Sequence, residues 1–520
     1  MATAPAASAT SGSPSLHWKA CGDAPDVECA VLKAPLDYDK PHGKRIKVFV
    51  ARAHATGERK GSLFLNFGGP GASIADFIQA AGADGFPALS EHFDLVGMDP
   101  RGTGQTEDPI DCKVNQETTG LYSEPFTTPF NLDVGALIAK DRRYIRRCLV
   151  RNDVDVLAHA STANVARDMD LVRAGLGESR LNYLGFSYGT FLGATYASLF
   201  PNRYRALVLD GPLDPNRYIN KPTKNLFEQS AGFERALGRF FQACAADQSA
   251  CLGFGGSDPW SAYDELVDQA YQTPLPADGY TPDPRPVNGD DVLAAAVIPM
   301  YAKQLWPLLA QALAAAQDGD GTLIRALTDE FFYGRDPDTG DYDPGSDRYF
   351  TLGAVEQRYT RDIGFYLDAG DDAYGLFEHT YWNTGYPELN YGLWPIHDRD
   401  AYYGPFKASR SAPTPLVVAT RYDPATPYRG ALHLLRQLGN ARLLTMTGDG
   451  HTAYGNGSPD CIDPAIERYI NTLALPDEGT KCKQHVPFAQ AQAVAARAAS
   501  ATVARRALRR AAPQIAQRLR

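Results

Sequence analysis

The twenty residues LNYLGFSYGTFLGATYASLF, 181 to 200, limit the possible folds more than any other stretch. An apolar strand runs into Gly185-Phe186-Ser187-Tyr188-Gly189 with no room for a loop and continues as a small-residue helix. A strand, sharp turn and helix in that order form a nucleophile elbow, which presents the serine oxygen at the helix N-terminus. The glycines are required sterically, because side chains there would collide with the neighbouring strand and helix, and the serine itself sits in a strained conformation. The alternative is a buried serine in a glycine turn, so the flanking elements must decide.

Those elements alternate between strand and helix. GSLFLNFGGPGAS and HFDLVGMDPRGTG are apolar strands running into loops, TANVARDMDLVRAGLG has helical spacing with a glycine stop, and YRALVLDGPLDP is the next strand. Strands return at PTPLVVATRYDPATP and ARLLTMTGDGHTAYG. This predicts an α/β fold of the α/β-hydrolase type, a mostly parallel sheet with helices on both faces. From residue 216 to about 395 the pattern is helical with Asp-, Gly- and Tyr-rich connections, which predicts an inserted helical lid. The expected organisation is a disordered segment over 1–15, the first part of the sheet domain over 16–215 and the lid over 216–395. The second part of the sheet domain follows over 396–485, and an Ala- and Arg-rich tail over 486–520. That tail contains no acidic residue; it reads as a frayed end, with an amphipathic helix docking on an anionic surface as the alternative.

A serine hydroxyl needs a base within hydrogen-bond reach, oriented in turn by a carboxylate. In this fold the order is serine, acid, histidine, each after a strand. Asp423 follows PLVVATRY, and His451 follows RLLTMT through Gly448-Asp449-Gly450. Among ten histidines, His397 and His485 are the rivals of His451, and Asp449 is the rival of Asp423. The backbone N–H groups of Tyr188 and of the Gly68-Gly69 loop, taken as Gly69, are the expected oxyanion donors. The Gly-rich loop has no Walker lysine and is not G-x-G-x-x-G, which argues against a phosphate cradle. This chemistry calls for no metal and no organic cofactor.

A net charge of −10 argues against nucleic acid as a partner, and no run of about eighteen apolar residues is present to span a membrane. Eight dispersed cysteines, without C-x-x-C spacing, predict disulfides between sequence neighbours and an oxidising compartment. Buried free thiols in a cytosolic enzyme are the alternative. Residues 1–15 have neither a basic start nor an apolar core and do not read as a signal peptide, so a secreted protein would here begin at its mature form.

The stretches APLDY, NFGGPGAS, GMDPRGTG, LVRAGLG, GFSYGTFLGATYASLFP, VLDGPLDP, RYDPATP and GDGHTAYG occur in an order and context that resemble the secreted tripeptidyl aminopeptidases of actinobacteria. These are relatives of proline iminopeptidase with a TAP-like C-terminal region, and the resemblance runs from about residue 29 to 482. It implies Ser187, Asp423 and His451 as a triad, Gly69 and Tyr188 as oxyanion donors, and release of short peptides, typically tripeptides, from free N-termini outside the cell. The chain has Asn66-Phe67 where HGGPG is commoner, which leaves the backbone donors intact. A lid carboxylate would hold the substrate ammonium, with candidates at 336–347, Glu378 and Glu388. The alternative function is a carboxylesterase or acyl-transfer enzyme that uses the same triad on small esters.

Overall fold

The computed structural model describes residues 15–24 and 26–488. Ten strands form one sheet: β1 (Lys19–Ala20), β2 (Val27–Pro35), β3 (Arg45–Ala53), β4 (Gly61–Asn66), β5 (Phe93–Met98), β6 (Leu181–Phe186), β7 (Tyr204–Asp210), β8 (Leu416–Tyr422), β9 (Arg442–Asp449) and β10 (Lys481–Lys483). Their order is β1-β2-β3-β5-β4-β6-β7-β8-β9-β10. β1, β2, β3 and β5 pair antiparallel, and every pair from β5 to β10 is parallel.

The strand sequences explain this arrangement. β4 and β6 are buried at every position, as strands covered on both faces must be, whereas RIKVFVARA of β3 alternates between buried and exposed over its first half. Period-two alternation then sends neighbours to opposite faces. Tyr183 and Leu207 join Phe64, Phe191 and Val417 on one side; Leu184 and Val208 join Leu63, Leu65 and Leu444 on the other.

The elbow helix Tyr188–Leu199 lies against β6 and β7, and the helix Thr162–Gly175 packs beside it. Because the central strands are parallel, the loops after β4, β6, β7, β8 and β9 all leave from the same edge of the sheet, where a site would be expected.

No strand occurs between β7 and β8 among the described residues. The chain there forms helices, among them Pro222–Ala246, Pro259–Gln272 and Trp306–Gln317, around a core that includes Phe240, Phe241, Tyr263, Trp306 and Trp382. A second segment joins this cap. The helix Val134–Arg151, from the stretch between β5 and β6, packs Tyr144, Ile145 and Cys148 with Phe350, Val355 and Trp394 of the inserted region. Helical spacing within Val134–Arg151 shows an apolar stripe but not which domain that stripe meets, so the sequence gives no sign of this second contributor.

The eight cysteines pair as Cys21–Cys29, Cys112–Cys148, Cys244–Cys251 and Cys461–Cys482, the neighbour pattern expected from their spacing. Cys112–Cys148 ties the start of the second cap segment to its helix, and Cys461–Cys482 ties the helix Ile462–Thr472 to β10. No helix among the described residues is long and apolar enough to cross a membrane. The expectations for residues 1–15 and 486–520 lie outside the described residues apart from Ser15 and 486–488, of which Phe488 packs on Phe240 and Trp306.

Candidate active site

Ser187 stands between β6 and the elbow helix with φ 55° and ψ −125°, outside the regions an L-residue prefers. Its backbone holds it there. The Ser187 N–H donates to the Asp210 carbonyl at 2.9 Å, and its carbonyl accepts from the Thr190 N–H at 2.8 Å and the Thr190 hydroxyl at 2.6 Å. The flanking glycines are fixed by close approach: a Cβ on Gly185 would lie 2.4 Å from the Tyr183 ring, and one on Gly189 would lie 2.7 Å from the Asn66 carbonyl oxygen. No side chain fits at either position.

The glycine-rich loop after β4 lies directly against this turn. Gly68, Gly69 and Gly71 have φ of 97°, 99° and 109°, and a Cβ on Gly68 would come within 2.9 Å of the Ser187 Cβ and 3.0 Å of the Tyr188 nitrogen. The Asn66 side chain accepts the Gly68 N–H at 3.1 Å, which engages that donor. Asp99 anchors the far end of the loop: its buried carboxylate accepts the N–H groups of Ile74 (2.8 Å), Ala75 (3.0 Å) and Gln105 (2.8 Å) and the Ser73 hydroxyl (3.0 Å). Burial pushes the Asp99 carboxyl up to about 6 even so. Arg101, two residues on, is fully buried and forks onto Asp168 at 2.7 and 2.9 Å while donating to the Pro35 and Leu36 carbonyls. It serves the fold rather than the site.

His451 and Asp423 come together across the ends of β8 and β9. His451 Nδ1 lies 2.9 Å from both carboxylate oxygens of Asp423, and both residues are buried. An ionised carboxylate only accepts, so Nδ1 carries the proton and Nε2 is left as the basic nitrogen. Asp423 also accepts the Thr426 N–H (2.8 Å), the Thr426 hydroxyl (3.0 Å) and the Thr452 N–H (3.2 Å), which fix its orientation. The cap reaches this loop too: the His451 N–H donates to the Tyr301 carbonyl at 2.7 Å, and the two rings meet edge to face at 5.5 Å.

The rival residues are engaged elsewhere. Asp449 is paired with Arg239 and, at 3.5 Å, with Lys303. His397 lies near Ala354 and Arg361, where burial first and then the arginine hold its imidazole below the usual range. His485 is exposed, 3.7 Å from Asp460.

One residue of the assembly escaped the sequence reading. Asp210, fully buried at the end of β7, accepts the Ala453 N–H at 2.9 Å and the Tyr454 N–H at 2.9 Å through its carboxylate, while its carbonyl holds the Ser187 N–H. A single residue therefore ties the Ser187 turn to the loop that follows His451. The next residue, Gly211, passes so close to the imidazole that a Cβ would lie 3.1 Å from Cε1. The motif VLDGPLDP carried the signal, but nothing in a strand-end aspartate says which loop it will meet.

Ser187 opens into a cavity of about 220 Å³ with Gly69 on one side and the cap on the other. Its cap wall is aromatic, with Tyr122, Tyr301, Phe332, Tyr349 and Phe350 among the lining residues. One carboxylate lines it, Asp343, within the acidic stretch singled out from the sequence. Burial raises the Asp343 carboxyl above its ordinary range, with Arg348 opposing. Of the other candidates, Glu388 is buried and accepts from Thr223 (2.8 Å) and the Gly385 N–H (2.8 Å), with burial pushing its carboxyl up to about 7. Glu378 is exposed beside Asp264 and His379.

Residues 62–271 match the family model described as alpha/beta hydrolase fold, and residues 391–482 match the model described as TAP-like protein. Serine protease Hip1 of Mycobacterium tuberculosis is 32% identical over 466 residues, covering 87% of each chain. The chain belongs to the α/β-hydrolase family. Carboxylesterase B of Mycobacterium tuberculosis is 34% identical over 504 residues, covering 92% of each chain. The tripeptidyl aminopeptidase of Streptomyces coelicolor is 28% identical over 472 residues, covering 88% of this chain and 83% of that one.

For this α/β-hydrolase, Asp210→Asn leaves one strong acceptor where two N–H groups need it. The expected result is a kcat lowered roughly tenfold to a hundredfold with KM nearly unchanged, since a small misplacement of the histidine loop weakens the chemical step more than binding. Steady-state kinetics and a melting curve on the same sample check this.

Proposed function

We propose that this hydrolase is a serine exopeptidase acting outside the cytoplasm, releasing short peptides, tripeptides first, from chains with a free N-terminus. Ser187 attacks the scissile carbonyl, and His451 Nε2 takes the hydroxyl proton. Asp423 orients the imidazole and stabilises its charged form. The tetrahedral oxyanion is received by the N–H groups of Gly69 and Tyr188. Collapse expels the new N-terminus of the shortened chain as an amine, protonated by His451. Water, deprotonated by the same histidine, then hydrolyses the acyl-enzyme and frees the short peptide.

The observation that carries the peptidase reading is the shape of the cavity at Ser187. It is roofed by the cap, lined by aromatic rings suited to peptide side chains, and supplied with the single carboxylate Asp343. An aromatic cavity with one partly buried carboxylate favours a substrate that ends there in a cation, because the desolvated part of that charge is stabilised by an ammonium group. The named peptidases among the relatives lend the same reading support. Four disulfides fit an oxidising, extracytoplasmic setting.

Asp343→Asn tests this assignment. The expected result is a loss of about a hundredfold in kcat/KM for free tripeptide substrates and a change within about twofold for their acetylated forms. Equal losses on both would sink the ammonium role. The pH dependence follows from the sign of the shift: the carboxylate must be charged to hold an ammonium, and burial raises its pKa. Discrimination in favour of free N-termini should therefore fade as pH falls, starting at higher pH than an ordinary carboxylate would give. The ester reading is kept open by the relative named carboxylesterase, whose chemistry needs the same three side chains.

A further inference from the structure

A second cavity, of about 610 Å³, shares no lining residue with the one at Ser187. It lies where the start of the cap leaves the sheet domain, between the Asp214–Lys224 region, the loop at 403–407 and the helix Tyr428–Leu438. Its charge is opposite to that of the molecule. Arg217, Lys221, Lys224 and Lys407 line it against one carboxylate, Asp214, on a chain whose formal net charge is −10.

The partners of these groups show where positive charge is left over. Arg217 pairs with Glu228 and lies 3.8 Å from Asp214. Asp214 is itself fully used, accepting from His433 Nδ1 at 2.6 Å, Gln437 Nε2 at 2.8 Å and the Arg217 N–H at 3.2 Å. Lys221, Lys224 and Lys407 make no ion pair among the described residues, so three exposed lysines share the wall of one cavity without a carboxylate partner. Bringing like charges together is unfavourable unless something anionic shares the space.

The backbone adds to the same field. Lys221 and Lys224 bracket the first turn of the 25-residue helix Pro222–Ala246, whose N-cap is Lys221 and carries no side-chain cap. The Thr223 hydroxyl points away from the helix start and donates to Glu388 at 2.8 Å. The positive end of a long helix thus joins the amines. The rest of the wall is apolar: Tyr403, Pro405 and Phe406 line the cavity, and Phe406 rests on Phe191 of the elbow helix at 5.5 Å.

We propose that this cavity is a binding site, separate from the hydrolytic one, for a phosphate-type dianion carried on an apolar or aromatic body. The head is held by Lys221, Lys224 and Lys407 at the helix start, and the body lies against Tyr403 and Phe406.

The test is isothermal titration of the full protein with phenyl phosphate and with inorganic phosphate, alongside its hydrolytic activity. Phenyl phosphate should bind one to one, several-fold more tightly than inorganic phosphate because its ring is buried. Added salt should weaken both. In the double variant Lys221→Gln/Lys224→Gln, and independently in Lys407→Gln, affinity should fall about tenfold or more while hydrolysis of the substrate is unchanged. These lysines are exposed, and two separate variants guard against a folding defect in one. Absence of binding at about 10 mM of either probe overturns the proposal. So does equal affinity in the variants, or binding that merely competes with substrate at Ser187.

Discussion

Ser187→Ala is expected to lower kcat by roughly 10⁵- to 10⁶-fold while leaving the melting temperature within about two degrees of the parent. The two halves of that expectation rest on different atoms. The hydroxyl oxygen is the nucleophile in the proposed mechanism, and no other group replaces it. The turn, by contrast, is held by the backbone: the Ser187 N–H on Asp210, its carbonyl on Thr190, and the close approach of Gly68, Gly185 and Gly189. Alanine meets the same positive-φ strain as serine, so the substitution adds no new backbone cost. Activity close to that of the parent protein would show that the nucleophile lies elsewhere. A large drop in melting temperature would show that the side chain serves the fold.

The second large effect separates the two candidate acids. Asp423→Asn is expected to lower kcat about 10⁴-fold, because an amide cannot hold the imidazole with Nδ1 as the donor and cannot stabilise the imidazolium. Asp449→Asn, two residues before the histidine, is expected to change kcat by less than about fivefold, since it loses only the pairing with Arg239 and Lys303. Some loss of stability is expected there, because Arg239 would keep a partly buried charge with a weaker partner. Kinetics of the two variants side by side decide the question. If Asp449→Asn is the inactive one, the acid has been assigned to the wrong strand end.

The sequence and the structure can be compared residue by residue. The elbow was legible because its geometry demands glycines at fixed offsets from the serine, and the parallel sheet because strands buried on both faces must be apolar throughout. Asp423 and His451 were legible for a related reason: parallel strands deliver their C-terminal ends to one edge, so residues far apart in sequence but each just past a strand end become neighbours. Asp210 was not, although it too follows a strand, because its role depends on which loop folds over it. The same limit applies to the cap. Helical spacing announced helices after residue 216, but the packing of Val134–Arg151 into that cap depends on the tertiary fit of its apolar stripe. Among the many lid acids, Asp343 is distinguished by facing the cavity, a property no local pattern encodes. Asn66 is instructive in the opposite direction. In the sequence Asn66-Phe67 stands before Gly68 where HGGPG is commoner, and in the structure Asn66 supplies the acceptor that orients the Gly68 N–H.

The most direct measurement of the central claim is hydrolysis of one-, two- and three-residue peptide p-nitroanilides, each with a free and an acetylated N-terminus, by the native protein and by Ser187→Ala. Matched p-nitrophenyl esters serve as the comparison. Free tripeptides are expected to be cleaved best, acetylation to remove most of the rate, and the variant to be inactive on all of them. Turnover of esters with no cleavage of any peptide, or faster cleavage of the acetylated forms, would contradict it.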